Sequence, residues 1–147
     1  MIHHHLILRV VTKFIVGTIM LFAFYVQFHG DFSPGGGFQA GVIMAVAFIL
    51  YGVVFGLNRV KRVMPEWIVH KLMALGVVIY AGTGILSMLL GYEFLHYGAF
   101  SPHHMSHGQH WGILAVEFGV GVTVTGVMIT VYYAFASRSP LLQDKDW

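Results

Sequence analysis

The sequence predicts an all-α membrane protein: four transmembrane helices, a glycine-rich loop between the first and second, and both termini in the cytoplasm. Three observations carry that prediction. The 147-residue chain is 57% apolar and only 10% charged, against about 25% charged in a typical soluble domain. Four apolar stretches follow one another, each close to or above the roughly 20 helical residues that cross a bilayer core. All eight Lys and Arg residues fall on one side of the resulting four-helix scheme. That asymmetry is the positive-inside pattern, and three or five spans would break it. The expected unit is one four-helix transmembrane domain over residues 1–147, with helices at about 6–28, 38–57, 67–90 and 111–136.

Helix one draws its span from Val10 to Phe28. Arg9 and Lys13 stand near one end, where long cationic side chains reach the headgroups. A cleaved signal needs a short apolar run and a small-residue site. Here the run continues to Phe28, so it reads as a retained helix. The stretch that follows departs from everything around it: His29, Gly30, Asp31, Phe32, Ser33, Pro34, Gly35, Gly36, Gly37, Phe38, Gln39, Ala40, Gly41. Glycine reaches backbone conformations that a side chain forbids, and proline fixes φ and removes a donor. Such a run encodes a turn or a broken helix entry.

Helix two carries two glycine pairs at a spacing of four, Gly37 with Gly41 and Gly52 with Gly56. Pairs of this kind put bare backbone on one face, so a second helix can approach closely. Asn58 to Glu66 reads as a short basic loop holding Arg59, Lys61 and Arg62. Pro65 and Glu66 suit the start of helix three, proline by its fixed φ and the acid by the positive end of the helix dipole. Trp67 opens that helix as an interfacial anchor. A long connection, Gly91 to His110, holds five histidines: His96, His103, His104, His107 and His110. Helix four follows, then a polar tail.

Basic residues precede or open helix one, surround the second connection and follow helix four. The basic loop and both termini are therefore placed in the cytoplasm, and the glycine-rich and histidine-rich connections on the other side.

Glu117 is the sharpest single residue. It lies about two turns inside helix four, some 9 Å past Trp111. An acid at membrane depth costs at least about 2.5 kcal/mol unless protonated or paired, which makes it a functional candidate. His110, Gly121 and Thr125 share its face, a polar and small stripe expected to turn into a protein interior. The alternative is an acid that only hydrogen-bonds a neighbouring helix. Histidines at 103, 104, 107 and 110 would gather a metal if helical, but no cysteine or acid completes the set. Pro102 and Gly108 point to an irregular segment, so surface histidines and no metal site are expected. Lys13 and Lys71 read as snorkelling charges.

Several function classes drop out. There are no cysteines, hence no disulfides or thiolate chemistry. A formal charge of +2 is too small to suggest nucleic acid. The glycines at 35–37 are not followed by the Lys and Ser/Thr of a nucleotide loop. No serine, histidine and acid arrangement suggests an enzyme. One intramembrane acid is too little for a self-sufficient proton pump.

The stretch from His29 to Gly41 closely resembles the signature of the B subunit of Mrp-type (Mnh or Sha) multisubunit Na+/H+ antiporters. The likeness continues through helix two, and the chain length and four-helix layout also resemble that subunit. Helices one and three match only as generic membrane helices, and the histidine-rich connection does not map onto the family pattern. The resemblance implies a non-catalytic, multi-pass subunit of a bacterial inner-membrane complex, without cofactor, whose partners are subunits A, C, D, E, F and G. It implies sodium and protons as the transported ions, and a B subunit that supports assembly and lines part of an ion route. Asp31 with its glycine loop and Glu117 are the ion-route or assembly candidates. Gly52, Gly56 and Gly121 are the helix-packing ones. The glycine segment would offer backbone groups to an ion, with the N-terminus of helix two stabilising the Asp31 carboxylate. Alternatively Asp31 only caps the turn. The competing functions are a pure scaffold in a related complex, such as a membrane-bound hydrogenase, and a small independent channel or transporter.

Overall fold

The computed structural model describes residues 2–30, 34–100 and 105–138, excepting the side chains of 2–5 and 105–107. It is helical throughout, with no strand among the described residues. In order these are α1 (Ile2–Phe28), α2 (Gly37–Phe55), α3 (Leu57–Val63), α4 (Glu66–Leu89), a 3-10 turn (Tyr97–Phe100) and α5 (Met105–Ala136). Among the described residues, four segments are long and apolar enough to cross a membrane: Leu6–Phe28, Gly37–Phe55, Glu66–Leu89 and Gly108–Ala136.

Two boundaries differ from the sequence reading. Helix two does not run on to Leu57. It stops at Gly56, whose φ of 94° lies in the left-handed region, while its N–H still bonds to the Gly52 carbonyl at 2.9 Å. Only glycine takes that conformation without strain. Gly56 was expected to pack a partner helix. Instead a Cβ there would meet nothing within 4 Å, so the residue serves the break and not a contact. The basic residues after it are not a loop either. They form α3, with Val60 fully buried and Asn58, Arg59 and Arg62 exposed.

The second difference is at the start of α5, six residues before Trp111. His107 and His110 are therefore helical, and Gly108 is a buried helical position, not a break. The described part of the preceding connection is packed against α4 and α5. Ser87, fully buried, donates to the Gly84 and Glu93 carbonyls at 2.8 and 3.0 Å. The Phe94 ring fills the space beside Gly84, and the Tyr97 ring lies against Gly112 in the first turns of α5. Burial pushes the Tyr97 phenol above its usual range, with Tyr80 adding to the effect, so it stays a neutral packing group.

The four long helices stand in a row, α1 against α2, α2 against α5, α5 against α4. No packed seam joins α1 to α4. At one end Ala45, Val60, Val69, Ile129 and Tyr133 form a core that ties α3 to α2, α4 and α5. The Tyr133 hydroxyl donates to the Met64 carbonyl at 2.7 Å, capping the turn between α3 and α4. The described basic side chains gather at this end. Lys13 lies over the Phe55 ring, Lys71 over Trp67, and Lys61 over Tyr133.

Candidate functional site: a glycine cage around Glu117

Glu117 is 19 residues before the end of α5 at Ala136, which is about 28 Å of helix. That is nearly the whole thickness of a hydrocarbon core. The acid therefore stands near the far edge of the bundle from the basic end, at the level where α1 stops and α2 starts. Some 18 Å of α5 extends beyond it towards Met105. The sequence placed it two turns below a helix end. In the structure it is level with the ends of its neighbours.

The glycine-rich stretch closes over it. A Cβ added to Gly30 would sit 2.8 Å from Glu117 Oε2. One added to Gly36 would sit 3.1 Å from Oε1. One added to Gly37 would run into the Glu117 carbonyl oxygen and stand 2.9 Å from its Cα. Any side chain at these three positions would take the space the acid or its backbone occupies. Gly36 is also at φ 133°, a conformation that side chains avoid. Three of the loop's glycines thus lie in close approach to Glu117, Gly30 and Gly36 to its half-buried carboxylate and Gly37 to its backbone.

This carboxylate stands beside the first turn of α2. The first amide groups of a helix have no partner within it and carry the positive end of its dipole. An anion is favoured there, typically by about 0.3–1 kcal/mol and more where partly buried. The sequence reading gave that place to Asp31. Among the described residues it is Glu117 that occupies it, while Asp31, Phe32 and Ser33 lie outside them.

Below the cage the same two helices stay in backbone contact. A Cβ on Gly41 would lie 2.6 Å from the Gly121 carbonyl oxygen, and one on Gly121 3.1 Å from that of Gly37. Thr125, one turn further, donates to the Gly41 carbonyl across the seam at 3.1 Å and to Gly121 in its own helix at 2.7 Å. Gly121 and Thr125 thus share the inward stripe read from sequence. His110 does not join it: it is exposed, its ring set edge-on to Trp111. Gly52 packs on the other end of α5, where a Cβ would lie 2.6 Å from the Tyr132 hydroxyl.

Among the other signature residues, His29 stacks on Tyr25 with ring centres 4.2 Å apart. Gly35 rests on the Val26 carbonyl, and Pro34, Phe38 and Gln39 are exposed. In the third connection His96 stacks on Tyr92, and no cluster of three metal-ligating side chains occurs among the described residues. His103 and His104 lie outside them.

In the seam between α4 and α5 the sequence offers Gly76 as a packing residue, but Gly119 and Gly126 on the α5 side escaped the sequence reading. Gly76 and Gly119 meet there reciprocally, a Cβ on Gly119 falling 2.8 Å from the Gly76 carbonyl oxygen. Gly126 lies against Met73, and Thr123 donates to the Gly119 carbonyl at 3.0 Å. The signal was present as the spacing of seven between Gly112, Gly119 and Gly126, which puts all three on one helical face.

Residues 7–130 match the family described as a domain related to the MnhB subunit of Na+/H+ antiporter. Proteins named as antiporter subunit mnhB2 are similar over most of their length. One from Staphylococcus haemolyticus is 36% identical over 132 residues, covering 88% of this chain and 93% of that protein. One from Staphylococcus epidermidis is 35% identical over 127 residues, 85% of this chain and 89% of that protein. One from Staphylococcus aureus is 34% identical with the same coverage. With four membrane-crossing segments, a glycine cage on the far end of the bundle and this match over most of its length, the chain belongs to the MnhB family of Na+/H+ antiporter subunits.

Proposed function

We propose that this chain is a non-catalytic subunit of a sodium/proton antiporter, in which Glu117 and the glycine loop form one station of an ion route. The observation that carries this reading is the close approach of Gly30 and Gly36 to the Glu117 carboxylate, with Gly37 against the backbone of the same residue. A residue needed only to join two helices would require the bare backbone of Gly37 against its main chain, but not two further side-chain-free positions, Gly30 and Gly36, at its carboxyl group. The charge asymmetry supports an orientation with the basic end cytoplasmic, so the cage faces the outer side of the membrane. Mrp-type subunits A, C, D, E, F and G are the partners this reading implies. Asp31 belongs to the same station by sequence, since its neighbour Gly30 abuts Glu117.

Glu117→Gln tests this directly. It keeps the volume and removes the charge. With the complex co-purifying as in wild type, sodium-coupled proton movement in everted vesicles should fall at least tenfold. Full activity in an assembled complex would remove Glu117 from the route. Asp31→Asn and Asp31→Ala extend the test to the loop.

A pure scaffold role is the second reading. It is favoured by the glycines at 41, 76, 119 and 121, which sit in helix seams and touch no ionisable side chain in the contacts above. Under that reading Glu117→Gln transports normally, and only deletion of the chain abolishes antiport, through loss of assembly.

A further inference from the structure

The row of helices leaves an open side between α1 and α4, and that side is hollow. A cavity of about 290 Å³ lies there, at the lower end of the sizes that small ligands fill. Its walls are mostly apolar: Met20 and Phe24 from α1, Met44 and Phe48 from α2, Leu72 from α4 and Phe118 from α5. From Ala40 to Phe48 it follows α2 for about 12 Å. One end carries an amide. Gln27, in the last turn of α1, lines the cavity and is only 6% exposed. Its Oε1 packs on Gly121, and its Nε2 has no hydrogen-bond partner among the described residues.

We propose that this groove binds one acyl chain of a membrane glycerophospholipid, with the Gln27 amide donating to the chain's ester carbonyl. Three features select that occupant. A buried N–H group without an acceptor is costly, and an ester carbonyl is an acceptor attached to an apolar tail. Away from that amide the walls are mostly apolar for about 12 Å along α2, which suits a hydrocarbon tail. The polar end lies at the right depth. Gln27 is one residue from the end of α1, where the core gives way to the headgroup region and where lipid esters lie. The chain then runs from Gln27 towards Met64 and Leu72, filling a void whose lining otherwise lacks contacts.

The test uses the antiporter complex reconstituted in bilayers that contain phosphatidylglycerol with a photoreactive diazirine midway along one acyl chain. After illumination, labelled residues are mapped by mass spectrometry. In wild type, Met20, Phe24, Met44 and Phe118 should label at least fivefold more densely than Val78 and Leu89 on the outer face of α4. Met44→Trp, which fills the groove, should remove that excess and leave Val78 and Leu89 unchanged. Gln27→Leu keeps the shape but has no donor, and should lower groove labelling several-fold. Equal labelling of groove and outer face in wild type overturns the proposal. So does capture of a neighbouring polypeptide at Met44 or Phe118 by cysteine crosslinking, which would put a partner helix in the groove. Undiminished labelling in Gln27→Leu overturns the assignment of the ester to that amide.

Discussion

The two ends of the bundle each hold a carboxylate, and they treat it in opposite ways. At the basic end Glu66 pairs with Lys61 at 2.6 Å, and both side chains are partly in the open, 56% and 30% exposed. Long flexible side chains make that contact and can remake it elsewhere. At the other end Glu117 is held by backbone, by the glycines of the loop and the first turn of α2. Gly30, Gly36 and Gly37 have no side chain to move aside. The difference teaches where substitutions matter. A site built from side chains is tolerant, whereas one built from close backbone approach fails on the addition of one methyl group.

Gly37→Ala should have the largest effect. Its Cβ would collide with the backbone of Glu117, which cannot swing aside, so α2 and α5 must separate. Overpacking in a tight core costs about 1–3 kcal/mol, occasionally more. The expected result is a clear fall in the Tm of the purified chain and poor incorporation into the complex. Gly82→Ala is the control, since a Cβ there meets nothing within 4 Å, and it should not lower Tm, alanine being the better helix former. Equal effects from the two would mean that the α2–α5 contact is not special.

Gly30→Ala should be milder in stability and sharper in function. The added methyl meets the far end of the Glu117 side chain, which can move. Tm should change little while antiport falls several-fold, because the carboxylate is pushed off the α2 N-terminus. A variant that loses stability and keeps its activity would turn the cage into a mere packing device.

Tyr133→Phe probes the other end. It deletes the hydrogen bond to the Met64 carbonyl and leaves that acceptor in a partly buried place. A loss of about 1 kcal/mol is expected, read as a lower unfolding midpoint with antiport retained.

Much of this contrast was legible in the sequence, but in separate pieces. Hydropathy gave the four spans and charge gave the basic end, because both are sums over many residues. Glu117 stood out because an acid is costly among apolar neighbours. The loop stood out by its glycines. Their union did not, because Gly30 and Glu117 are 87 positions apart and only packing brings them together. The break at Gly56 was misread for a related reason. A glycine four residues from another signals a bare helix face or a positive φ equally well, and the chain following it decides. Val60 settles the matter by being buried, which turns the basic segment into α3 and forces a corner before it.

Lys61→Met sets the lower limit of the series. The substitution removes the ion pair with Glu66 and the cation over the Tyr133 ring, 5.4 Å from its centre. It keeps an unbranched side chain, and methionine also packs well against aromatic rings. Partly exposed pairs contribute little and are screened by salt. No resolvable change in Tm is expected at physiological ionic strength, and antiport should match wild type. The flanking Arg59 and Arg62 keep the basic end positive, so the topology should also hold, as read by labelling of cysteines placed in α3. A fall in Tm as large as that of Gly37→Ala would reverse the contrast between the ends. It would make the Lys61–Glu66 contact, and not the glycine cage, the rigid element of the bundle.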